Sequence, residues 1–259
     1  MTDFNNIRSE QIVIDGLLTS FIASNKTSTK PPILFLHGWG SSKEVWNLAM
    51  QTLESKGVVS YALDLPGFGK TEKPREVWNV HTYVAFILEF LRKLDIKKVI
   101  VVGHSFGGRL ALVLAAENPA LVSKLVLVDS AGVRTKPGFK KFLASVSKLA
   151  RPLFRLRWTN PLRKKIYRLI DAEDYVATPE LNKTFVQVIG EDLQSYAPRI
   201  LQPTLIVWGK NDMVTPIFFA TEFKNKIPRS RLVVLSGAGH YSFLDQPAEF
   251  IEALQKFLN

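Results

Sequence analysis

The chain has no cysteine among its 259 residues. That excludes a disulfide framework, a thiolate zinc site and a cysteine nucleophile. Histidine is scarce as well: His37, His81, His104 and His240 are the only imidazoles, so a general base must be sought among these 4. No apolar run approaches the roughly 18 residues that a membrane-crossing helix requires. The opening residues, Met1 to Arg8, lack the apolar stretch of a secretory signal, and a cytoplasmic location is the expectation. Low-complexity segments and internal repeats are missing. The glycines at 67 and 69 lack the trailing spacing of a dinucleotide turn, and the run Gly103 to Gly108 places a serine where a phosphate cradle keeps glycine. No cofactor and no metal site are therefore expected. The net charge of +11 sits on no recognised nucleic-acid-binding element, so a nucleic-acid partner is not expected either.

Apolar residues make up 46% of the chain and recur as short runs without alternation: Ile33 to Leu36, Val58 to Leu63, Val99 to Val102, Leu125 to Val128, Leu205 to Trp208 and Leu232 to Leu235. Runs of this kind belong to parallel strands buried on both faces. Helical patterns lie between them at about 43–56, 80–95, 105–118, 217–226 and 246–258. Residues 11–23 read as an antiparallel hairpin turning at Asp15-Gly16. Strands alternating with helices imply an α/β architecture, a doubly wound and mostly parallel sheet.

One turn of this pattern carries chemistry. Gly103-His104-Ser105-Phe106-Gly107-Gly108 follows the run Val99 to Val102 and precedes the helix-forming stretch Arg109 to Asn118. It is a G-x-S-x-G placed between a buried strand and a helix. A serine on such a turn is pushed out of the backbone and exposes its hydroxyl above the sheet. The glycines are required because strand and helix backbones pass too closely there for a Cβ.

A serine hydroxyl needs a base, and the base needs an orienting carboxylate. His240 lies in a glycine-flanked loop after the last strand run, free to reach over the sheet edge. His104 adjoins the serine but points away along the turn, His37 braces its own loop, and His81 opens an amphipathic helix. For the acid, Asp212 follows the strand run 205–208 and precedes a helix opened by Pro216. Asp129, ending the run 125–128, is a rival. Asp245 is expected to cap the last helix. Asp64 is expected to anchor its glycine-rich turn. The order Ser105, Asp212, His240 is that of α/β-hydrolase triads.

The motifs His37-Gly38-Trp39-Gly40, Asp64-Leu65-Pro66-Gly67-Phe68-Gly69, Gly103 to Gly108, Gly209 to Asp212 and Gly239-His240 occur in one order over residues 33 to 247. In this the chain resembles the α/β-hydrolase superfamily, in its branch of serine esterases, C–C hydrolases and cofactor-free haloperoxidases. The resemblance implies an eight-stranded sheet. It also implies an oxyanion hole made by the backbone N–H groups of Trp39 and Phe106, with Gly38 beside the substrate. Tyr241 fits, loosely, the aromatic residue that follows the histidine in many C–C hydrolases. Relatives that open epoxides or displace halide carry aspartate at the elbow, and serine here argues against those activities.

The resemblance further implies a helical cap inserted after the sixth strand. Residues 133–198 would form it, with 1–132 and 199–259 as the core. Residues 134–168 hold 12 Lys and Arg and no Asp or Glu, which leaves −1 for the rest of the chain. Phe139, Phe142, Leu143, Val146, Leu149, Ala150 and Leu153 recur there at helical spacing, with cations between them. Three readings of this segment stand: an apolar-faced lid with solvated cations, a peripheral contact with an anionic membrane, or recognition of an acidic substrate. Phe139, Phe142, Trp158 and Tyr241 are candidate pocket walls. The expected function is serine hydrolysis of a carboxylic ester with an apolar acyl part, through Ser105, His240 and Asp212. Lactone opening and C–C cleavage of a diketone remain open on the same residues, as does a ligand-binding receptor with a vestigial triad.

Overall fold

The computed structural model describes residues 7–25, 27–133 and 179–259. Eight strands form one sheet: β1 (Ile7–Ile14), β2 (Leu17–Ser24), β3 (Ile33–Leu36), β4 (Ser60–Leu63), β5 (Val99–His104), β6 (Val122–Val128), β7 (Thr204–Gly209) and β8 (Ser230–Leu235). Their spatial order is β1-β2-β4-β3-β5-β6-β7-β8. The first two pairings, β1 with β2 and β2 with β4, are antiparallel, and all the others are parallel. The hairpin turns at Asp15 and Gly16, with φ of 47° and 80°. Two positive φ values in succession match the right-handed twist of the strands they join.

The helices are α1 (Asn47–Glu54), α2 (Val80–Lys93), α3 (Phe106–Glu117), α4 (Asn182–Gly190), α5 (Phe218–Lys226), α6 (Ser242–Asp245) and α7 (Pro247–Leu258). Local chemistry sets their ends. The Asn79 side chain accepts from the Thr82 N–H at 2.9 Å and caps α2, whose last turn carries Arg92 and Lys93. Pro247 opens α7 at a position where its missing N–H costs nothing.

Alternate residues of each strand enter opposite layers. Leu34, Val101, Leu127, Ile206 and Trp208 pack with α2, α3 and α5. Ile33, Phe35, Val102, Val126 and Val207 pack with Trp46, Met50 and Leu53 on one side and Phe250 and Leu254 of α7 on the other. Both faces are dry, so the central strands have no polar alternation. The edge strand β1 does alternate between exposed and sheltered positions.

Several expected boundaries shift: β1 begins at Ile7 rather than at residue 11, and β6 at Val122 rather than Leu125. The 43–56 helix opens as a tight 3-10 turn over Lys43–Trp46 before α1, and β4 begins at Ser60. Gly57, with φ of 75°, ends the helical run, and the Val58 N–H folds back onto the Leu53 carbonyl at 3.1 Å. Val58 is thereby held by the exit turn, while the Val59 carbonyl already accepts from the Ile33 N–H of β3 at 3.0 Å. Of the stretch 133–198 expected to form a cap, 134–178 lies outside the described residues. The part that is described returns to the core through the short turn Pro179–Leu181 and α4.

Candidate active site

The ends of β5, β6, β7 and β8 carry Ser105, Asp129, Asp212 and His240. These are the carboxyl ends of parallel strands, where open α/β sheets place their sites. Ser105 has φ 51° and ψ −111°, a conformation that L residues rarely adopt. Its surroundings enforce it. The Ser105 N–H donates to Val128 O at 3.1 Å, and its carbonyl accepts from the N–H groups of Gly108, Arg109 and Ala131. A Cβ on Gly103 would lie 2.4 Å from Gly107 O, and one on Gly107 would lie 2.3 Å from Leu36 O. The turn is glycine-bounded because backbone occupies the space of a side chain.

The elbow aims the hydroxyl at His240, with Ser105 Oγ 3.0 Å from His240 Nε2. His240 Nδ1 lies 2.9 Å from Asp212 Oδ2. Since the carboxylate only accepts, Nδ1 carries the proton and Nε2 keeps its lone pair for the serine. Asp212 is itself fixed. Oδ1 accepts from the N–H of Val214 at 2.8 Å and of Thr215 at 2.9 Å, and Oδ2 accepts from Thr215 Oγ1 at 2.7 Å. The Asp212 side chain is fully buried and that of His240 is 14% exposed. The inner pair is dry and the working nitrogen is reachable.

The other histidines hold the scaffold. His104 is buried, and desolvation, then the nearby His240, push its pKa well below the usual imidazole range. Neutral at working pH, it donates from Nε2 to the His240 carbonyl at 2.7 Å. His37 accepts at Nε2 from Leu65 N–H at 3.0 Å, so its Nδ1 donates to Gly38 O at 2.7 Å. It braces the loop that carries Trp39. A Cβ on Gly38 would stand 3.3 Å from Ser105 Cβ, which sets this loop against the elbow. The N–H of Phe106, the first residue of α3, has no acceptor among the described residues. The Trp39 ring packs against Phe68, Phe106 and Phe185 at 4.8, 5.2 and 5.0 Å between centroids.

Asp64 anchors its turn, with Oδ2 accepting from Lys70 N–H at 2.9 Å. Gly69 has φ 56°, and a Cβ there would overlap the Asp64 carboxylate. Asp245 departs from expectation. It accepts from the Gly239 N–H at 2.8 Å and caps no helix, because Gln246 occupies the cap position of α7. It fastens the loop that delivers His240. Asp129 does not contact His240 through its carboxylate; it accepts from Gly209 N–H, Ser242 N–H and Ser242 Oγ. Tyr241, 38% exposed, sets its ring 4.8 Å from that of His104. Phe139, Phe142 and Trp158 lie outside the described residues.

Several participants carry no local sequence signal. Lys43, 1% exposed, pairs with Asp64 at 2.6 Å beneath the Trp39 loop. Arg109, buried in α3, donates to the carbonyls of Val188 and Glu191 and ties α4 to the helix behind the serine. Thr215 supports Asp212. Pro216 does not open the helix as expected, since α5 begins at Phe218 with Ile217 at its cap position, and it lends Thr215 only a weak hint; Lys43 and Arg109 read as ordinary surface cations.

Comparison with known proteins settles the family. A model of the alpha/beta hydrolase fold matches residues 31–247. The chain belongs to the α/β-hydrolase family. An uncharacterized protein of Mycobacterium tuberculosis is 30% identical over 260 residues, covering 88% of this chain and 75% of the relative. Lipase 1 of Psychrobacter immobilis is 26% identical over 257 residues, covering 91% and 80%. The solved structure of a thermophilic esterase superposes on this α/β hydrolase with a TM-score of 0.72 and 28% identity, over 97% of both chains.

Proposed function

We propose that this chain is a serine hydrolase that cleaves carboxylic esters through an acyl-enzyme on Ser105. The observation that carries the reading is the continuous path from Ser105 Oγ to His240 Nε2 at 3.0 Å and from His240 Nδ1 to Asp212 Oδ2 at 2.9 Å. Ser105 Oγ attacks the ester carbonyl carbon and its proton passes to His240 Nε2. Asp212 holds the imidazole in the right tautomer and stabilises the imidazolium. Negative charge gathers on the carbonyl oxygen and is held by the backbone N–H groups of Trp39 and Phe106. A fixed donor of this kind is worth about a hundredfold to a thousandfold in turnover. Collapse breaks the C–O bond, and the leaving alcohol takes the proton from His240. Water, deprotonated by His240, then attacks the acyl-enzyme and frees Ser105.

The buried aromatic cluster of Trp39, Phe68, Phe106 and Phe185 makes the surroundings of the elbow apolar, which favours an apolar acyl group. The names of two relatives, a lipase and an esterase, support the same substrate class. The test is repeated turnover of p-nitrophenyl esters together with fluorophosphonate labelling. One label is expected, on Ser105, and Ser105→Ala is expected to lose roughly four orders of magnitude in kcat, since triad members act as a unit. Binding without turnover would mark a receptor instead. Turnover of lactones or diketones in preference to esters would move the substrate class while keeping the same residues.

A further inference from the structure

Asp129 lies at the end of β6, outside the path from serine to acid, yet it is completely buried and touches both loops that deliver that path. Oδ1 accepts from the N–H of Gly209 at 2.8 Å, at the end of β7, three residues before Asp212. Oδ2 accepts from the N–H of Ser242 at 3.1 Å and from its hydroxyl at 2.5 Å, two residues after His240. Asp129 N–H donates to Val207 O at 3.0 Å. Its carbonyl lies 3.0 Å from Thr215 Oγ1, the hydroxyl that also reaches Asp212 Oδ2. Its backbone has φ 44°, and Asp129 shares this left-handed region with Ser105 on the neighbouring strand end. The residue is thus held in an uncommon backbone conformation, with every carboxylate contact directed at the acid's loop or the base's loop.

The geometry points to Asp129 as a positioning residue: its carboxylate, acting only as an acceptor, staples the Gly209–Asp212 turn to the His240–Ser242 turn and so fixes the Asp212–His240 alignment. This rests on the triad reading above and adds a residue to it. Three donors converge on the carboxylate, and the two backbone N–H groups among them cannot reverse. The amide of an asparagine brings a donor into that set and must turn it toward one of the two backbone N–H groups, whereas a protonated acid keeps its partners only if the Ser242 hydroxyl reverses and accepts.

Protonation is within reach of neutral pH. Burial raises the Asp129 pKa to about 7, with the bonds from Ser242 and Gly209 opposing it, the charge of Asp212 adding to it and His240 lowering it. Those two are the charged or titratable groups that act on it. A folded-state pKa raised above the unfolded value means that this group's contribution to stability grows as pH falls from about 7 toward the ordinary carboxylate range. Protonation reverses the Ser242 hydroxyl bond and takes the charge off the acceptor of both N–H groups, which weakens the staple while the fold loses no stability. Below about 7, activity should fall while thermal stability does not.

The experiment is a pH profile of kcat for p-nitrophenyl ester hydrolysis by the unmodified chain, Asp129→Asn and Ser242→Ala, with KM and Tm measured alongside. For the unmodified chain, log kcat on the acid limb should rise with a slope above 1, from His240 and Asp129 together. Asp129→Asn should lower kcat roughly 10- to 100-fold with KM within about twofold, and its acid limb should have a slope of 1. Ser242→Ala should lower kcat several-fold. The double variant should cost less than the product of the two single losses, because both remove one contact. If Ser242→Ala leaves kcat and the acid limb unchanged, the proposal is overturned, even should Asp129→Asn fail to fold. A slope of 1 in the unmodified chain overturns it as well. These outcomes are distinct from failure of the triad reading, in which Ser105→Ala itself retains turnover.

Discussion

At the residue scale, the division of labour between two buried aspartates can be tested by amide substitution. Asp212→Asn keeps the size and the packing but offers Nδ1 of His240 a donor as readily as an acceptor. The imidazole then loses its fixed tautomer, and Nε2 is no longer held as the proton acceptor for Ser105. The expected loss in kcat is up to about 10⁴-fold, with an unchanged far-ultraviolet spectrum and intact ground-state ester binding. Asp129→Asn should cost far less. If the two losses came out in reverse order, the acid would sit at the end of β6. The sequence exposed Ser105, Asp212 and His240 because each stands beside glycines at a strand end, in an order with a chemical meaning. Thr215, Lys43 and Arg109 were opaque. Each acts on a partner chosen by the fold: Lys43 on Asp64, 21 residues away, and Arg109 on Val188, 79 residues away. A cation's local sequence carries no record of such a partner.

At the scale of elements, glycine separates strain from collision. Gly16 has φ 80° and open space where a Cβ would go, so Gly16→Ala meets only the backbone penalty, roughly 1–2 kcal/mol. Gly107 has no positive φ, but a Cβ there would lie 2.3 Å from Leu36 O. Gly107→Ala must drive α3 off β3 and move Ser105. Gly16→Ala is expected to lower Tm by a few degrees with p-nitrophenyl ester turnover the same as that of the unmodified chain. Gly107→Ala should abolish activity and Ser105 labelling at temperatures where the chain is still folded. Equal activity in the two variants would mean that the elbow tolerates displacement, and the close-approach argument would fall. The same distinction explains which elements were legible. Hairpin and central strands were read from turn chemistry and unbroken apolar runs. The start of β4 was not, because the turn at Gly57 ties the Val58 N–H back to Leu53 by a hydrogen bond that composition does not encode.

For the whole molecule, charge is the outstanding asymmetry. The stretch 134–168 carries 12 cations and no anion, and the remainder of the chain is close to neutral. Among the described residues no helix is long and apolar enough to cross a membrane. A cation near an anionic leaflet contributes about 1 kcal/mol, and the interaction decays over a Debye length of about 10 Å at 0.1 M salt. A third of these 12 cations engaged together would contribute about 4 kcal/mol, a dissociation constant near 1 mM, so firm binding needs most of them and weakens as salt rises. If the segment touches anionic lipid, the expected result is co-sedimentation with phosphatidylserine vesicles that weakens steeply as salt rises, and no binding to neutral vesicles. Reversing Lys140, Lys141, Lys148 and Arg151 to glutamate should abolish it while hydrolysis of a small soluble ester persists, since the path from Ser105 to Asp212 uses none of them. Failure of the unmodified chain to sediment at low salt would leave the cations solvated. The apolar residues among them would then act on the substrate, and Phe139→Ala with Phe142→Ala should change the ratio of kcat/KM between long and short acyl esters. If neither vesicle binding nor that ratio responds, the segment's charge serves a partner that is neither bilayer nor acyl chain, and an acidic ester becomes the substrate to try.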